Sequence, residues 1–407
     1  MGALTSQDTK MASRVGQRRL ALFVFFFLTG LALSSWVTRT PAIRDGLGAS
    51  IAEMGLIIFG LSLGSMVGIL LAGGAVSRFG TKTMGLVGMM LISSSLLFVA
   101  IGVLLSVAAV VSFGLFVFGI GAGLSEIAIN MEGADVEAVM RQPVLHALHG
   151  CFSLGTVVGA SIGIVLTAID FPVAWHMALV SLICFPPVFY FITKLSPDLG
   201  RHAPSVGSQG AGKTAGAALF RDKTVLFIGL IVLGMAFAEG AANDWLPLLM
   251  VDEHGLDPAQ GTLVYLGFAL AMTAGRFGGG VPLRKWGRKA VMRGSAIAGA
   301  IGIALVIFVD NPWVAGLAVV LWGIGASLGF PVALSAAGDS GENSDARVKI
   351  VAIVGYVAFL VGPPMLGFLG DTLGLRSAML VVLGVVLLAA VLSSALDGQK
   401  RPAVAAP

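Results

Sequence analysis

The chain has 407 residues, 57% of them hydrophobic and only 11% charged, with a mean hydropathy of +0.96. A soluble domain carries roughly 25% charged residues, so this composition excludes an ordinary soluble fold and calls for a bilayer as solvent. Net charge +4 and pI 9.2 do not call for nucleic acid, because the basic residues are scattered through short loops; lipid headgroups and topology account for them.

In chain order, Lys10, Arg14, Arg18 and Arg19 precede an apolar run from Leu20 to Val37. The run resembles a secretory leader, but it is long enough to span and lacks a small-x-small cleavage site. It is read as an uncleaved first helix. Stretches of about 20 apolar residues then place spans at 18–38, 53–77, 82–102, 106–131, 146–168 and 173–193. A second set falls at 223–245, 259–282, 289–309, 313–337, 349–369 and 376–396. The expected fold is an all-α polytopic membrane protein of twelve transmembrane helices in two six-helix bundles related by pseudo-two-fold symmetry.

The expected organisation is a cytoplasmic N-terminus (1–17), an N-terminal bundle (18–193), a cytoplasmic linker (194–222), a C-terminal bundle (223–396) and a cytoplasmic tail (397–407). With both termini inside, Arg39, Arg44 and Arg376 are the only Lys or Arg in outer loops, which is the positive-inside pattern. Trp175, Trp245, Trp286 and Trp313 fall at predicted span ends, as interface anchors do. The linker is rich in Gly, Ser and Pro and reads as flexible. It contains Gly207-Ser-Gln-Gly-Ala-Gly212-Lys213-Thr214, a match to the phosphate-loop pattern. No strand pattern feeds that match, so it is a chance of composition. Cys151 and Cys184 lie in apolar segments and define neither a disulfide framework nor a metal site. No cofactor is expected.

Two internal repeats relate the halves. Phe118-Gly-Ile-Gly-Ala-Gly-Leu-Ser-Glu126-Ile-Ala-Ile-Asn130 returns about half a chain later as Trp322-Gly-Ile-Gly-Ala-Ser-Leu-Gly-Phe330-Pro331, with Phe330 in place of Glu126. Gly73-Gly-Ala-Val-Ser77-Arg78-Phe79-Gly80-Thr81-Lys82 returns as Gly280-Val-Pro-Leu-Arg284-Lys285-Trp286-Gly287-Arg288-Lys289. Glycine permits a tight turn between close helices, and fixed cations there can latch acids on neighbouring cytoplasmic ends. The candidate acids are Glu132, Asp135 and Glu137, then Asp339, Glu342 and Asp345. The plainer alternative is that these loops only fix topology.

At these loops the chain resembles the major facilitator superfamily, whose loop signature is G-x-x-x-D-R-x-G-R-K. Two positions depart from it: Ser77 stands at the aspartate and Thr81 at the later arginine, so the first-half charge relay is expected to be incomplete. Within that superfamily the chain looks most like the fucose-permease-like branch, especially its YbjJ-type inner-membrane members. The resemblance rests on Glu126 and Asn130 in the fourth span, on Leu148-His149-Gly150 through Gly155, and on Glu239 to Trp245. Sugar–proton symporters of that branch carry a further acid in the first span, where Val37 stands here. Drug–proton antiporters often show G-x-x-x-G-P-x-x-G in the fifth span; Ala160 replaces the proline here, and close helix packing is the plainer reading.

A carboxylate at mid-bilayer costs about 2.5–3.5 kcal/mol on insertion scales, so it faces a cavity or a partner. Glu126 can bind solute, carry a proton or pair structurally; Asn130 can bind the same ligand or a neighbouring helix. Glu239 and Asn243 repeat the four-residue spacing, His149 can titrate, and Trp36, Tyr265, Trp322 and Tyr356 are candidates for a stacking wall. The expected cytoplasmic gate comprises Gly73, Arg78, Gly80, Lys82, Arg276, Gly280, Lys285, Gly287, Arg288, Glu137 and Glu342.

The resemblance implies a secondary transporter working by alternating access: proton-coupled uptake of a polar or sugar-like solute by a monomer in the bacterial inner membrane, with lipid, solute and protons as its partners. Efflux of amphipathic compounds through a pocket drawn from 16 Met and 24 Phe is the alternative. A non-transporting sensor is the remote one.

Overall fold

The computed structural model describes residues 6–141, 144–201, 219, 222–341 and 343–396, and among these there is no strand. The helices are α1 (Ser6–Val37), α2 (Thr40–Leu47), α3 (Ile51–Phe79), α4 (Thr81–Leu104), α5 (Ala108–Met140), α6 (Leu145–Ala168) and α7 (Val173–Ile192). They continue as α8 (Lys223–Asp252), α9 (Pro258–Gly278), α10 (Gly280–Phe308), α11 (Pro312–Ala326), α12 (Gly329–Asp339), α13 (Ser344–Leu373) and α14 (Leu375–Leu392). Eleven spans among the described residues are long and apolar enough to cross a membrane, with α11 and α12 counted together. At the place of the eighth expected span stands α9, where Gln260, Thr262, Thr273 and Arg276 dilute the apolar run below that measure. The protein is an all-α polytopic membrane protein.

Two compact units divide the chain. The first holds α1 to α7 together with Pro258–Leu263; the second holds α8, the rest of α9 and α10 to α14. In the first unit the apolar helices meet backbone to backbone. A Cβ added to Gly64 of α3 would overlap the Phe116 carbonyl of α5, and one on Gly119 would overlap the Leu61 carbonyl in return. With no hydrophobic drive between helices in lipid, close van der Waals approach at small residues supplies the association. The run Gly155 to Gly163 does the same for α6 on α1, where Gly155 abuts the Phe27 carbonyl. The close-packing reading of that run is therefore the one observed.

Helix ends follow local chemistry. Ser50 and Glu53 form a reciprocal capping box at α3: the Glu53 amide donates to Ser50 Oγ (3.2 Å) and the Ser50 amide to Glu53 Oε2 (2.8 Å). Asn311 caps α11 through the amides of Trp313 and Val314, with Pro312 at the first helical position. Gly80 separates α3 from α4 at φ +84°, a backbone state that side-chain-bearing residues rarely adopt.

Four boundaries differ from the sequence expectation. A short amphipathic helix, α2, sits in the loop after α1, entered by Pro41 and closed by left-handed Gly48. Helix α8 continues past Trp245 to Asp252, with Pro247 inside it. Helix α10 starts at Gly280, absorbing the second gate loop, and kinks at Gly287, whose φ of +77° is non-helical. The expected single span 313–337 is interrupted at Ser327–Leu328, dividing α11 from α12. Pro331 has no N–H to donate back across that break.

Candidate functional site

Polar groups inside the apolar bundles concentrate in a few places. On α5, Glu126 is exposed and Asn130 half-buried, one turn apart on one face. Neither side chain has a hydrogen-bond or ionic partner among the described residues. His149 of α6 is exposed, with its ring edge-on to Phe26 at 5.1 Å between centroids.

One end of the first unit carries a charge cluster. Glu132, one and a half turns beyond Glu126, is wholly buried. Arg18 of α1 donates to it at 2.5 Å and reaches Asp135 at 2.8 Å, while Thr81 Oγ1 donates to its other oxygen at 2.7 Å. The Thr81 hydroxyl also lies 3.1 Å from the Leu199 carbonyl. Glu137, expected as a latch acid, accepts from the amides of Val144 (2.7 Å) and Leu145 (3.0 Å), satisfying the start of α6. The loop cations do not join this cluster. Arg78 lies over the ring of Phe79, and Lys82 has no ionic partner among the described residues. Gly73 lies within α3, not in a loop.

In the second unit Glu239 of α8 meets Arg276 of α9 at 2.6 Å. This corrects the placing of Arg276 with the cytoplasmic gate: its guanidinium lies against a pathway candidate on the next helix. Both side chains keep some exposure, 16% for Glu239 and 26% for Arg276. Asn243 accepts from the Tyr265 hydroxyl at 3.2 Å. Asp244 follows it in the chain, half-buried within the span.

The stacking wall is corrected at three of its four positions. Trp36, Tyr265 and Trp322 are at most 2% exposed, so their faces are spent on packing. Trp322 Nε1 donates to the Ala238 carbonyl at 3.0 Å, and its ring stands edge-on to Phe268, on which Tyr265 also stacks. Tyr356 alone is half-exposed, tilted against Phe330 at 5.9 Å.

The second unit repeats this cluster with different groups. Arg288 donates to Asp339 (2.7 Å) and to Ser335 (2.9 Å), beside kinked Gly287; Lys285 lies over the exposed Trp286 ring. Gly280 opens α10. Glu342 lies outside the described residues, as do 202–218 with the phosphate-loop match. Missed from sequence was Asp222, which caps α8 through the Thr224 amide (2.8 Å) and pairs with Arg347 at 2.5 Å. Burial pushes the Asp222 carboxyl up, but the Arg347 hydrogen bond and charge with the Thr224 amide outweigh it, leaving it below the ordinary range.

At the opposite end of the first unit, Arg39 is 4% exposed and donates to Thr167 Oγ1 (2.9 Å) and to the Phe171 carbonyl. Burial lowers its pKa, opposed by the charge of Asp170. Sequence reasoning placed Arg39 in an outer loop only as a topology marker, and nothing in its spacing announces those partners.

Paired units of membrane-crossing helices, with isolated charges held inside otherwise apolar bundles, define a polytopic transport protein. The chain belongs to the Major Facilitator Superfamily, whose profile matches residues 20–348. It is 29% identical over 357 residues to an uncharacterized MFS-type transporter of Yersinia pestis, covering 87% of this chain and 89% of that one. It is 26% identical over 295 residues to the hexuronate transporter of Bacillus subtilis (67% of each). The cis,cis-muconate transport protein of Acinetobacter baylyi is 24% identical over 384 residues (89% of this chain, 91% of that). Among solved structures, nucleoside transporter NupG superposes with TM-score 0.73 at 14% identity, covering 93% of this chain and all of that one. The E. coli fucose:proton symporter FucP superposes at 0.60 and 17%, covering 94% and 98%. The likeness to these two is one of fold. Like its family, the protein is a transporter and not an enzyme.

Proposed function

We propose that this protein is a proton-coupled importer of a small polar, sugar-like solute, working by alternating access as a monomer. Its place is the bacterial plasma membrane, with both termini cytoplasmic and residues 18–193 and 223–396 as its two bundles. The observation that carries the reading is Glu126 with Asn130: a carboxylate and an amide on one face of an apolar helix, without partners among the described residues. An intramembrane acid left unpaired is retained against a cost of about 2.5–3.5 kcal/mol, and exchange of a proton or a solute hydrogen bond gives it a use. Relatives named for hexuronate and cis,cis-muconate are consistent with a small polar cargo. Arg18 with Glu132 and Asp135, and Arg288 with Asp339, serve as inner latches within their own units.

The test is uptake into proteoliposomes with and without a pH gradient, for wild type and Glu126→Gln, against a panel of neutral sugars, nucleosides and sugar acids. Wild type should accumulate a panel member only with the gradient. Glu126→Gln should lose at least about ten-fold of the gradient-driven rate, within the range of positioned proton transfer. Equal, gradient-insensitive uptake by both proteins would remove the proton role.

A further inference from the structure

The second unit carries an apolar groove that neither the solute site nor the latches use. It runs between α8 and α13, near the residues where both helices begin. Val225, Leu226, Gly229 and Leu230 line one wall and Ile350 and Val354 the other, around an open space of about 310 Å³. Gly229 gives the groove its depth, since a Cβ added there would already come to rest 3.6 Å from a Val354 methyl.

Positive charge gathers at its mouth. Asp222, just before α8, pairs with Arg347 in the first turn of α13 at 2.5 Å, which holds the two helix starts side by side. Those two charges cancel. Lys223 and Lys349, which flank that pair in the sequence, are exposed, and neither has an ionic or hydrogen-bond partner among the described residues. Lys223 precedes Leu226 and Leu230 by three and seven residues, on the same face of α8. On α13, Lys349 begins a ridge at steps of four residues, and its next members, Ile353, Val357 and Val361, are exposed and apolar. From Lys349 to Val361 the helix rises about 18 Å, which matches the roughly 15 Å of hydrocarbon in one leaflet.

From this arrangement we infer that the groove between α8 and α13 binds an anionic phospholipid, with one acyl chain in the groove and along the α13 ridge and the headgroup phosphate between Lys223 and Lys349. The chain supplies contact atoms to walls that otherwise lack them on one side. The lysine stems lie against apolar surface while their ammonium groups reach the headgroup level, and basic pockets between membrane helices hold anionic headgroups. A zwitterionic headgroup brings an amine that two lysines repel; a net-anionic one does not. The groove therefore selects phosphatidylglycerol or cardiolipin over phosphatidylethanolamine.

The test uses the full-length protein, delipidated in detergent and titrated with phosphatidylglycerol, cardiolipin or phosphatidylethanolamine of matched chains. Native mass spectrometry reads binding, and thermal unfolding reads the linked stabilisation. Wild type should bind phosphatidylglycerol at least about ten-fold more tightly than phosphatidylethanolamine, and Lys223→Gln with Lys349→Gln should bring that preference down to about three-fold or less. Arg141→Gln with Arg284→Gln, the same loss of charge at exposed positions elsewhere, should leave the preference intact. Gly229→Leu fills the groove and should weaken phosphatidylglycerol about five-fold with both lysines present. Gly229→Ala, whose methyl fits at ordinary contact distance, should weaken it about two-fold and serves if the leucine variant does not elute monodisperse. Inorganic phosphate should not compete. Equal binding of the two lipids by wild type overturns the inference. So does a preference that the lysine pair leaves unchanged, or that the arginine control loses equally. Full affinity in the folded Gly229 variants, or displacement by inorganic phosphate, also overturns it, by showing an anion site without a lipid.

Discussion

Arg18 is the residue whose removal tests the architecture most sharply. Its guanidinium is 15% exposed and serves Glu132, which is 0% exposed, and Asp135, which is 37% exposed. Arg18→Met keeps the apolar stem and deletes the charge. Glu132 is then left with the Thr81 hydroxyl as its described partner and Asp135 as a like-charged neighbour. Breaking a buried pair by removing one member costs about 3–5 kcal/mol, because the remaining charge stays uncompensated. Asp135 is solvated enough to need little from Arg18, so the whole effect is assigned to Glu132.

The double variant Arg18→Met with Glu132→Leu removes both charges and should recover most of the loss. Replacing a buried pair with apolar groups is often neutral or stabilising by about 1–4 kcal/mol. SDS unfolding followed by tryptophan fluorescence gives the three free energies of the cycle. Arg14→Met, exposed one turn earlier, is the control and should change stability by less than about 0.5 kcal/mol. The reasoning fails if Arg18→Met costs no more than Arg14→Met, or if the double variant is as unstable as the worse single one.

Two further outcomes follow from the packing and from the loop after α8. Gly64→Leu must push α3 away from the Phe116 carbonyl and should cost at least about 1–3 kcal/mol, seen as lost monodisperse protein; Gly74→Leu, with open space around it, should behave as wild type. His254 Nε2 donates to the Val306 carbonyl (3.0 Å), and burial followed by the Arg376 charge holds its imidazole below the ordinary range, against that carbonyl, Glu253 and Asp310. The unfolded chain therefore takes up the proton first. Stability from this site is complete above about pH 6.5 and declines as pH falls through that range. Thermal unfolding of His254→Gln from about pH 5 to 8 should lose that acid-side decline; an unchanged profile would refute the assignment.

Much of the fold was legible because hydropathy and glycine patterning are local. The spans, the duplicated gate loops and the acid in the fourth span all lie in short windows. Pairings across long separations were not. Arg18 and Glu132 are joined by α1 meeting α5, and no spacing announces it. Thr81 read as a gap in the charge relay, yet its hydroxyl and Arg18 together hold Glu132, while the matching position of the second half, Arg288, holds Asp339 directly. Aromatic residues misled for a different reason: Trp322 and Tyr265 have the composition of a ligand wall, but sequence cannot say which face a ring turns, and theirs turn inward. The break at Ser327–Leu328 carried a signal in Pro331. In a membrane helix a proline can bend, break or merely sit, so the signal did not choose among them.

The interrupted helix gives the duplication an unequal mutational footprint. In the first copy the side chains without partners among the described residues are Glu126 and Asn130; in the second copy the apolar Phe330 and Pro331 follow the break. Alanine scanning would therefore change the polarity of α5 at these positions and leave that of α12 as it is.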